Sequence, residues 1–502
     1  MSTCTKNTEP PTNIMIRFPS PIRCWLAGAL LASAFPAFAA PPPEKPNIVF
    51  ILADDMGIGD CTAYNPESKI PTPNIDRLAA QGMRFTDAHA AASVCVPSRY
   101  GLLTGKYAFR TWDQFPPQFP NLHDPKQPTI ASILKQGGYE TAAIGKWHLG
   151  MQPLMKEGKV RYSPNTVGFD YFFGMEQSLD TEPYYYVEND RMVAAPTGHT
   201  DGQQGDPSKC SNPGSQGAMW REGAIAPGFV HEKCLPLMAA KGVEYLKGRP
   251  KDGKPFFLYL ALPAPHAPWL PQPEFRGNSG AGDYGDYMVE VDNIVGQVMA
   301  TLKEKGLEGN TLLIFSSDNG PLWFPADVKH YGHSAAGTWR GWKGQFYEGG
   351  HREPFIARWP GKVAPGSTSN HVVDFTDMMA TFADIAGVEM PEGAGPDSFT
   401  ILPALLGKEA ARSSRTDLIS EDHGGARLAI RQGDWKMGLP IKTYKIVNGN
   451  ITPDAIIDPS KLELYNLKDD PGEKKNLTSI NPGKAAALFE LLKASIRKGS
   501  SR

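Results

Sequence analysis

The chain has 502 residues, of which 41% are hydrophobic and 21% charged, with a formal net charge of −2. That length and balance are ordinary for a globular protein, exceed most single domains and allow a large buried core. Mild acidity argues against a general nucleic-acid binder, so any affinity for an anion must be local.

Residues 1–39 read as a signal peptide. Arg17 and Arg23 precede an apolar run from Cys24 to Phe35, and Ala37-Phe38-Ala39 supplies a small-residue cleavage site. The run is shorter than the ~20 residues that span a bilayer, and no second span follows. An exported protein without a membrane span is therefore expected, periplasmic or secreted, with Met15 as an alternative start. Cleavage removes Lys6, Arg17, Arg23 and Glu9, a net +2, which takes the formal charge from −2 to −4. Of six cysteines, Cys61, Cys95, Cys210 and Cys234 then remain. In an oxidising compartment Cys210 and Cys234 could bridge a Gly/Pro-rich insertion, leaving Cys95 free and Cys61 unpaired.

The run Asn47 to Ala53 is apolar and rich in β-branched residues, which predicts a buried strand, and it ends in Asp54-Asp55. Two carboxylates held together repel, and a divalent cation relieves the repulsion; a solvated turn explains the pair equally well. Ile75 to Gln81 has helical spacing. Cys95-Val96-Pro97-Ser98-Arg99 then follows a run of small residues and opens a predicted helix, where free backbone N–H groups favour an anion. Thr129 to Gln136 reads as a helix and Tyr139 to Ile144 as a strand that delivers Lys146 and His148, two residues apart and on one face if the strand continues.

From Asp180 to Glu232 the chain is polar, aromatic and without period, and so long an irregular stretch predicts a substrate-pocket insertion. The strand-like run Pro255 to Leu262 leads to His266 among prolines that stiffen its loop. Asp283 to Glu304 predicts a long helix, and Thr311 to Ser317 a strand ending in Asp318-Asn319. Asp54, Asp55, Asp318 and Asn319 would place oxygen donors at the carboxyl ends of two strands, a set that suits Ca²⁺ or Mg²⁺ over zinc or copper. Lys343 sits between Gly341 and Gly344, where a ligand can approach closely. His371 to Gly387 reads as the last helix of the core, and from about Arg412 the pattern turns to short strands. The alternation predicts an α/β fold: a mostly parallel or mixed central sheet sandwiched by helices, with a smaller C-terminal α+β domain.

Taken singly, each of these motifs has an ordinary structural explanation. Together and in this order, from Pro46 to about Pro360, they resemble the type I sulfatases of the alkaline-phosphatase-like superfamily: Asp54-Asp55, Cys-x-Pro-Ser-Arg from Cys95, Gly-Lys-Trp-His from Gly145, Pro-His-x-Pro from Pro265, Asp-Asn-Gly from Asp318 and Gly-x-Lys-Gly from Gly341. Arg431 to Lys436 and Leu464 to Pro471 resemble strands of that family's small terminal domain. The resemblance implies a catalytic domain over 46–411 and a small domain over 412–502. It also implies conversion of Cys95 to Cα-formylglycine by a maturation enzyme, with Asp54, Asp55, residue 95, Asp318 and Asn319 around the metal. Arg99, Lys146, His148, His266 and Lys343 are the implied catalytic side chains, His266 as general acid and His148 as base. The expected substrate is a sulfated carbohydrate or an aryl sulfate, the former because Tyr184, Tyr185, Tyr186 and Trp220 could stack on a sugar ring. Two alternatives remain: a phosphate or phosphonate monoester hydrolase of the same superfamily, and an exported glycan-binding protein with an unmodified Cys95.

Overall fold

The computed structural model describes Met15, Arg17 and residues 45–111, 120–408, 415–422, 427–440, 444–447, 450–453 and 459–502. The chain divides into Met1–Pro43 and Glu44–Arg502; the predicted signal peptide, apart from Met15 and Arg17, and the expected domain boundary at 411/412 lie outside the described residues.

Eight strands carry the argument: β1 (Asn47–Asp54), β2 (Met83–Phe85), β3 (Glu140–Lys146), β4 (Tyr171–Met175), β5 (Phe256–Pro265), β6 (Thr311–Ser317), β7 (Phe355–Arg358) and β8 (Ser367–Ser369). They lie in the order β8-β2-β7-β6-β1-β5-β3-β4 within a twelve-stranded sheet. The five strands from β6 to β4 are mutually parallel. β7 runs antiparallel to β6 and β2 antiparallel to β7, so the sheet is mixed, with a parallel centre. Every residue of β1, β5 and β6 is buried, which explains why these strands read as continuous apolar runs rather than as alternating ones.

Helices α1 (Pro73–Gln81), α2 (Cys95–Thr104), α3 (Ile130–Gln136), α4 (Cys234–Lys247), α5 (Gly282–Glu304) and α6 (Met378–Ala386) accompany the sheet. The stretch predicted as one helix from His371 is a short strand and a 3₁₀ turn before α6 begins. Asp374 causes the delay: its carboxylate accepts from the Thr376 N–H at 2.8 Å and the Thr376 hydroxyl at 2.7 Å, which stabilises a turn in place of a helix. In the C-terminal part, a four-stranded antiparallel sheet (Leu418–Glu421, Leu428–Gln432, Trp435–Gly438 and Glu463–Asn466) packs beside a helix over Pro482–Lys498.

A buried charge network joins that sheet to the core. Lys436 meets Glu348 at 3.0 Å and Glu473 at 3.1 Å, Arg431 meets Asp87 at 2.7 Å, and Arg352 meets Glu348 at 2.7 Å. His89 and His351 stand inside it with Nδ1 atoms 3.0 Å apart, while the Nε2 atoms face Asp87 and the Phe346 carbonyl. Every ring nitrogen thus has a protein partner, so the cluster serves as a joint between the layers.

Among the described residues no disulfide forms: Cys61, Cys95, Cys210 and Cys234 are all buried free thiols, so the possible Cys210–Cys234 bridge is not made. The two sulfurs have different neighbours: Cys234 Sγ lies 2.8 Å from the Tyr186 hydroxyl and Cys210 Sγ 3.3 Å from the Asp206 carbonyl. Among the described residues no helix is long and apolar enough to cross a membrane.

Candidate active site

The carboxyl ends of β1, β3, β5 and β6 converge, as the crevice rule for open α/β sheets requires. β1 delivers Asp54 and then Asp55, whose φ of +67° turns its carboxylate back toward the strand ends. β6 delivers Asp318 and Asn319, and β3 ends at Lys146. The strand does not continue through His148 as the spacing suggested: His148 has a φ of +59°, a conformation outside any ladder, while its N–H donates to the Glu176 carbonyl at 2.8 Å. His266 follows β5 between two cis X-Pro bonds, Ala264-Pro265 and Ala267-Pro268.

Three cations balance three carboxylates here. Lys146 Nζ lies 2.6 Å from Asp54 Oδ2, Lys343 Nζ lies 2.6 Å from Asp55 Oδ1, and Arg99 donates through Nε to Asp318 Oδ2 at 2.8 Å. Arg99 also reaches the Lys146 carbonyl at 3.0 Å, fixing the end of β3. Asn319 Nδ2 donates to Asp55 Oδ1 at 2.7 Å. Burial alone would raise Asp54, yet Lys146 first, with His266, Arg99 and Lys343, holds it well below the usual carboxylate range. Asp318 moves the other way: burial and the charge of Asp54 push it up to about 6 against Arg99. The two carboxylates thus repel each other despite their paired cations, and one further positive charge would relieve that repulsion.

That charge fits a metal ion. Asp54, Asp55, Cys95 and His266 each bring a donor atom within 4.8 Å of the others'. Asp54 Oδ1 and Asn319 Oδ1 are buried without a hydrogen-bond partner, an arrangement that costs free energy unless something else occupies them. Carboxylate and amide oxygens predominate, so the donor chemistry suits a hard cation.

Cys95 is the first residue of α2, and Val94 before it provides no side-chain cap, so the helix's leading N–H groups face the site. The segment is braced from two sides. Ser93 donates through N–H and hydroxyl to the Glu421 carbonyl of the C-terminal sheet at 3.0 and 2.9 Å, and Gly344 N–H donates to the Ser93 carbonyl at 2.7 Å, tying the Lys343 loop to the Cys95 helix. Burial pushes the Cys95 thiol up to about 11 despite Lys146 and Lys343. An unmodified thiol there is a poor nucleophile near neutral pH. His148 is held well below its ordinary value by burial, then by Lys146 and Arg99, and its Nδ1 has no partner. His266 Nδ1 lies 2.6 Å from the Ala267 carbonyl, which turns Nε2 toward Asp55 Oδ2 at 3.8 Å.

The sequence did not single out Gly57. A Cβ built there would stand 2.0 Å from the Ala335 carbonyl oxygen, and both belong to backbone that cannot swing aside. Gly57→Ala should therefore displace the Asp54-Asp55 turn and destabilise the protein by about 1–3 kcal/mol, the scale of overpacking in a tight core. Calorimetric melting beside a metal titration checks this; an unchanged melting temperature would show that the loop yields freely.

His266 and Lys343 open onto a cavity of about 520 Å³ whose wall includes Asp180, Met219 and Arg221 from the irregular insertion, together with Trp342. The insertion does build the pocket, but not through its tyrosines. Tyr184 and Tyr185 are 2% and 1% exposed, and their hydroxyls donate to the Arg221 carbonyl at 2.8 Å and to Glu176 at 2.6 Å. Trp220 stacks on His231, with centroids 4.4 Å apart. These rings shape the wall from behind, and the aromatic surface in the pocket is that of Trp342. A larger cavity of about 640 Å³ beside Tyr64 and Trp339 contains none of the site residues.

Known proteins resemble this chain over most of its length. The sulfatase family profile matches residues 46–388, and the profile "N-sulphoglucosamine sulphohydrolase, C-terminal" matches residues 338–500. An N-acetylgalactosamine-6-O-sulfatase of Bacteroides thetaiotaomicron is 35% identical over 485 residues, covering 90% of this chain and 93% of its own. Human arylsulfatase A is 34% identical, with 93% and 88% covered. A solved Bacteroides thetaiotaomicron structure from work on the metabolism of multiple glycosaminoglycans superposes with a TM-score of 0.77 at 32% identity, covering 90% of this chain and 99% of that one. The chain belongs to the sulfatase family, with the alkaline-phosphatase-like fold, and is a sulfuric ester hydrolase.

Proposed function

We propose that this protein is an exported sulfatase that hydrolyses a carbohydrate sulfate ester, in the class of N-acetylgalactosamine 6-sulfate, through a formylglycine formed from Cys95. The observation that carries the reading is the meeting of Cys95, at a helix N-terminus, with Asp54, Asp55, Asp318 and Asn319 on one side and Lys146 and Lys343 on another. The 6-O-sulfatase relative, similar over nine-tenths of this chain, supports the sugar class. The proposed domain limits are 46–411 for the catalytic part and 412–502 for the small one.

A hydrated aldehyde at position 95 has two hydroxyls. One attacks sulfur and the sugar alcohol leaves; the second then loses its proton as the carbonyl re-forms and sulfate departs. Lys146 and Lys343 neutralise charge on the sulfate oxygens, and Arg99 orients the diol. His266 Nε2 protonates the leaving oxygen, and His148, kept neutral by its surroundings, accepts the proton that starts the collapse. Asp54, Asp55, Asp318 and Asn319 would hold Ca²⁺, which supplies Lewis-acid polarisation of the sulfate when bound.

The intact mass of the peptide spanning Val94 to Arg99 tests the modification, and sulfate release from N-acetylgalactosamine 6-sulfate tests the activity. An unmodified thiol in active enzyme would refute the nucleophile, and turnover of phosphate esters alone would favour the phosphatase alternative. His266→Ala should slow the sugar sulfate by about 10²–10⁴-fold while sparing an activated aryl sulfate, because a nitrophenolate leaves without a proton. Equal slowing of both substrates would make His266 a binding residue instead.

A further inference from the structure

A cavity of about 490 Å³ opens at the opposite end of the sheet, where β3 and β4 begin. It is close in size to the catalytic pocket and within the range of small-ligand sites. Tyr171 and Tyr245 stand in its wall as a stacked pair, centroids 6.3 Å apart and planes 12° from parallel, with the Arg249 guanidinium 4.5 Å from the Tyr245 ring centre. Both rings are half-buried and so keep exposed surface. The charged rim is largely self-paired: Lys135 meets Asp170 at 2.5 Å and Arg249 meets Glu140. The exposed Lys254 is the cation in excess.

Half-buried aromatic surface in the wall and one surplus positive charge on the rim match a sugar ring carrying one anionic group. We infer that this cavity is a second, non-catalytic site for a sulfated sugar, holding a distant unit of a polymeric substrate. The inference rests on the reading of the enzyme as a carbohydrate sulfatase. β3 starts at this cavity with Glu140 and ends six residues later at Lys146, so about 20 Å of strand separates the cavity from the Lys146 end of the candidate active site. A chain bound here stays near the catalytic pocket, which raises its effective concentration without touching the chemistry.

Affinity electrophoresis of the full chain through gels containing chondroitin 6-sulfate, or the same polymer chemically desulfated, tests the site. The wild type should be retarded by the sulfated gel alone. Tyr245→Ala and Lys254→Ala should each weaken that retardation by about 3- to 10-fold, the scale of one lost aromatic or charge contact. Both should cleave 4-nitrophenyl sulfate at the wild-type rate, which also reports that they fold; Lys254→Ala, at an exposed position, keeps the test valid if loss of the Tyr245 ring impairs folding. Retardation unchanged in Lys254→Ala, or equal in the desulfated gel, overturns the site. Retardation lost as expected, in an enzyme that releases no sulfate from any sugar, supports the site and refutes the proposed substrate.

Discussion

Cys95→Ala should lower turnover by on the order of 10³-fold or more, the scale expected when a covalent nucleophile is deleted, with little change in stability. The substitution removes one sulfur from a residue whose backbone is held independently, through Ser93 to Glu421 and through α2 itself. Cys95→Ser separates mechanisms more sharply. A serine hydroxyl can attack sulfur, but its ester lacks the second hydroxyl that expels sulfate, so the variant should accumulate a protein-bound sulfate after one turnover. Mass spectrometry of the Val94–Arg99 peptide reads that adduct directly. Sustained turnover by Cys95→Ser would mean that water attacks the ester and that the two-hydroxyl cycle is wrong.

Chelation should be the second large effect. Without a cation, Asp54 and Asp318 face each other around Arg99 with one carboxylate hard to ionise, and Asp54 Oδ1 and Asn319 Oδ1 stay buried and unpaired. Removing a preorganised charge from a site proposed to stabilise sulfate oxygens should cost about 10²–10³-fold in rate or more. Ca²⁺ should restore activity better than Zn²⁺, because the proposed ligands are oxygens at the ends of two strands. Isothermal titration of the chelated protein provides a readout independent of turnover: Asp54→Asn should weaken Ca²⁺ binding. Elemental analysis giving two zinc ions per chain would move the assignment to the phosphatase alternative.

The arrangement also explains how residues so far apart in the chain are held together. Arg99 bonds at once to Asp318 and to the Lys146 carbonyl, and Lys343 reaches Asp55 from a loop tied to Ser93. Loss of any one cation leaves a buried carboxylate without its partner, which is more damaging than loss of an exposed pair. The C-terminal sheet holds none of the proposed catalytic side chains; it braces Ser93 and anchors Lys436 among Glu348 and Glu473.

The sequence by itself determined the buried strands β1, β5 and β6, because a strand covered on both faces must be apolar throughout, and it placed Asp54-Asp55 and Asp318-Asn319 at strand ends, where only their order among the other motifs separated them from ordinary solvated turns. It also marked Cys95 as a helix start and the Asp180–Glu232 stretch as pocket wall. Only the tertiary structure decided which charge meets which. Lys146 with Asp54 and Lys343 with Asp55 are pairs 92 and 288 residues apart, set by strand order and not by spacing. It decided, too, that Tyr184 and Tyr185 face inward, that His148 leaves the strand, and that Cys210 and Cys234 stay apart. An aromatic run looks the same in sequence whether it lines a pocket or supports it; what distinguishes the two is the direction of each side chain, and packing against the rest of the chain sets that direction.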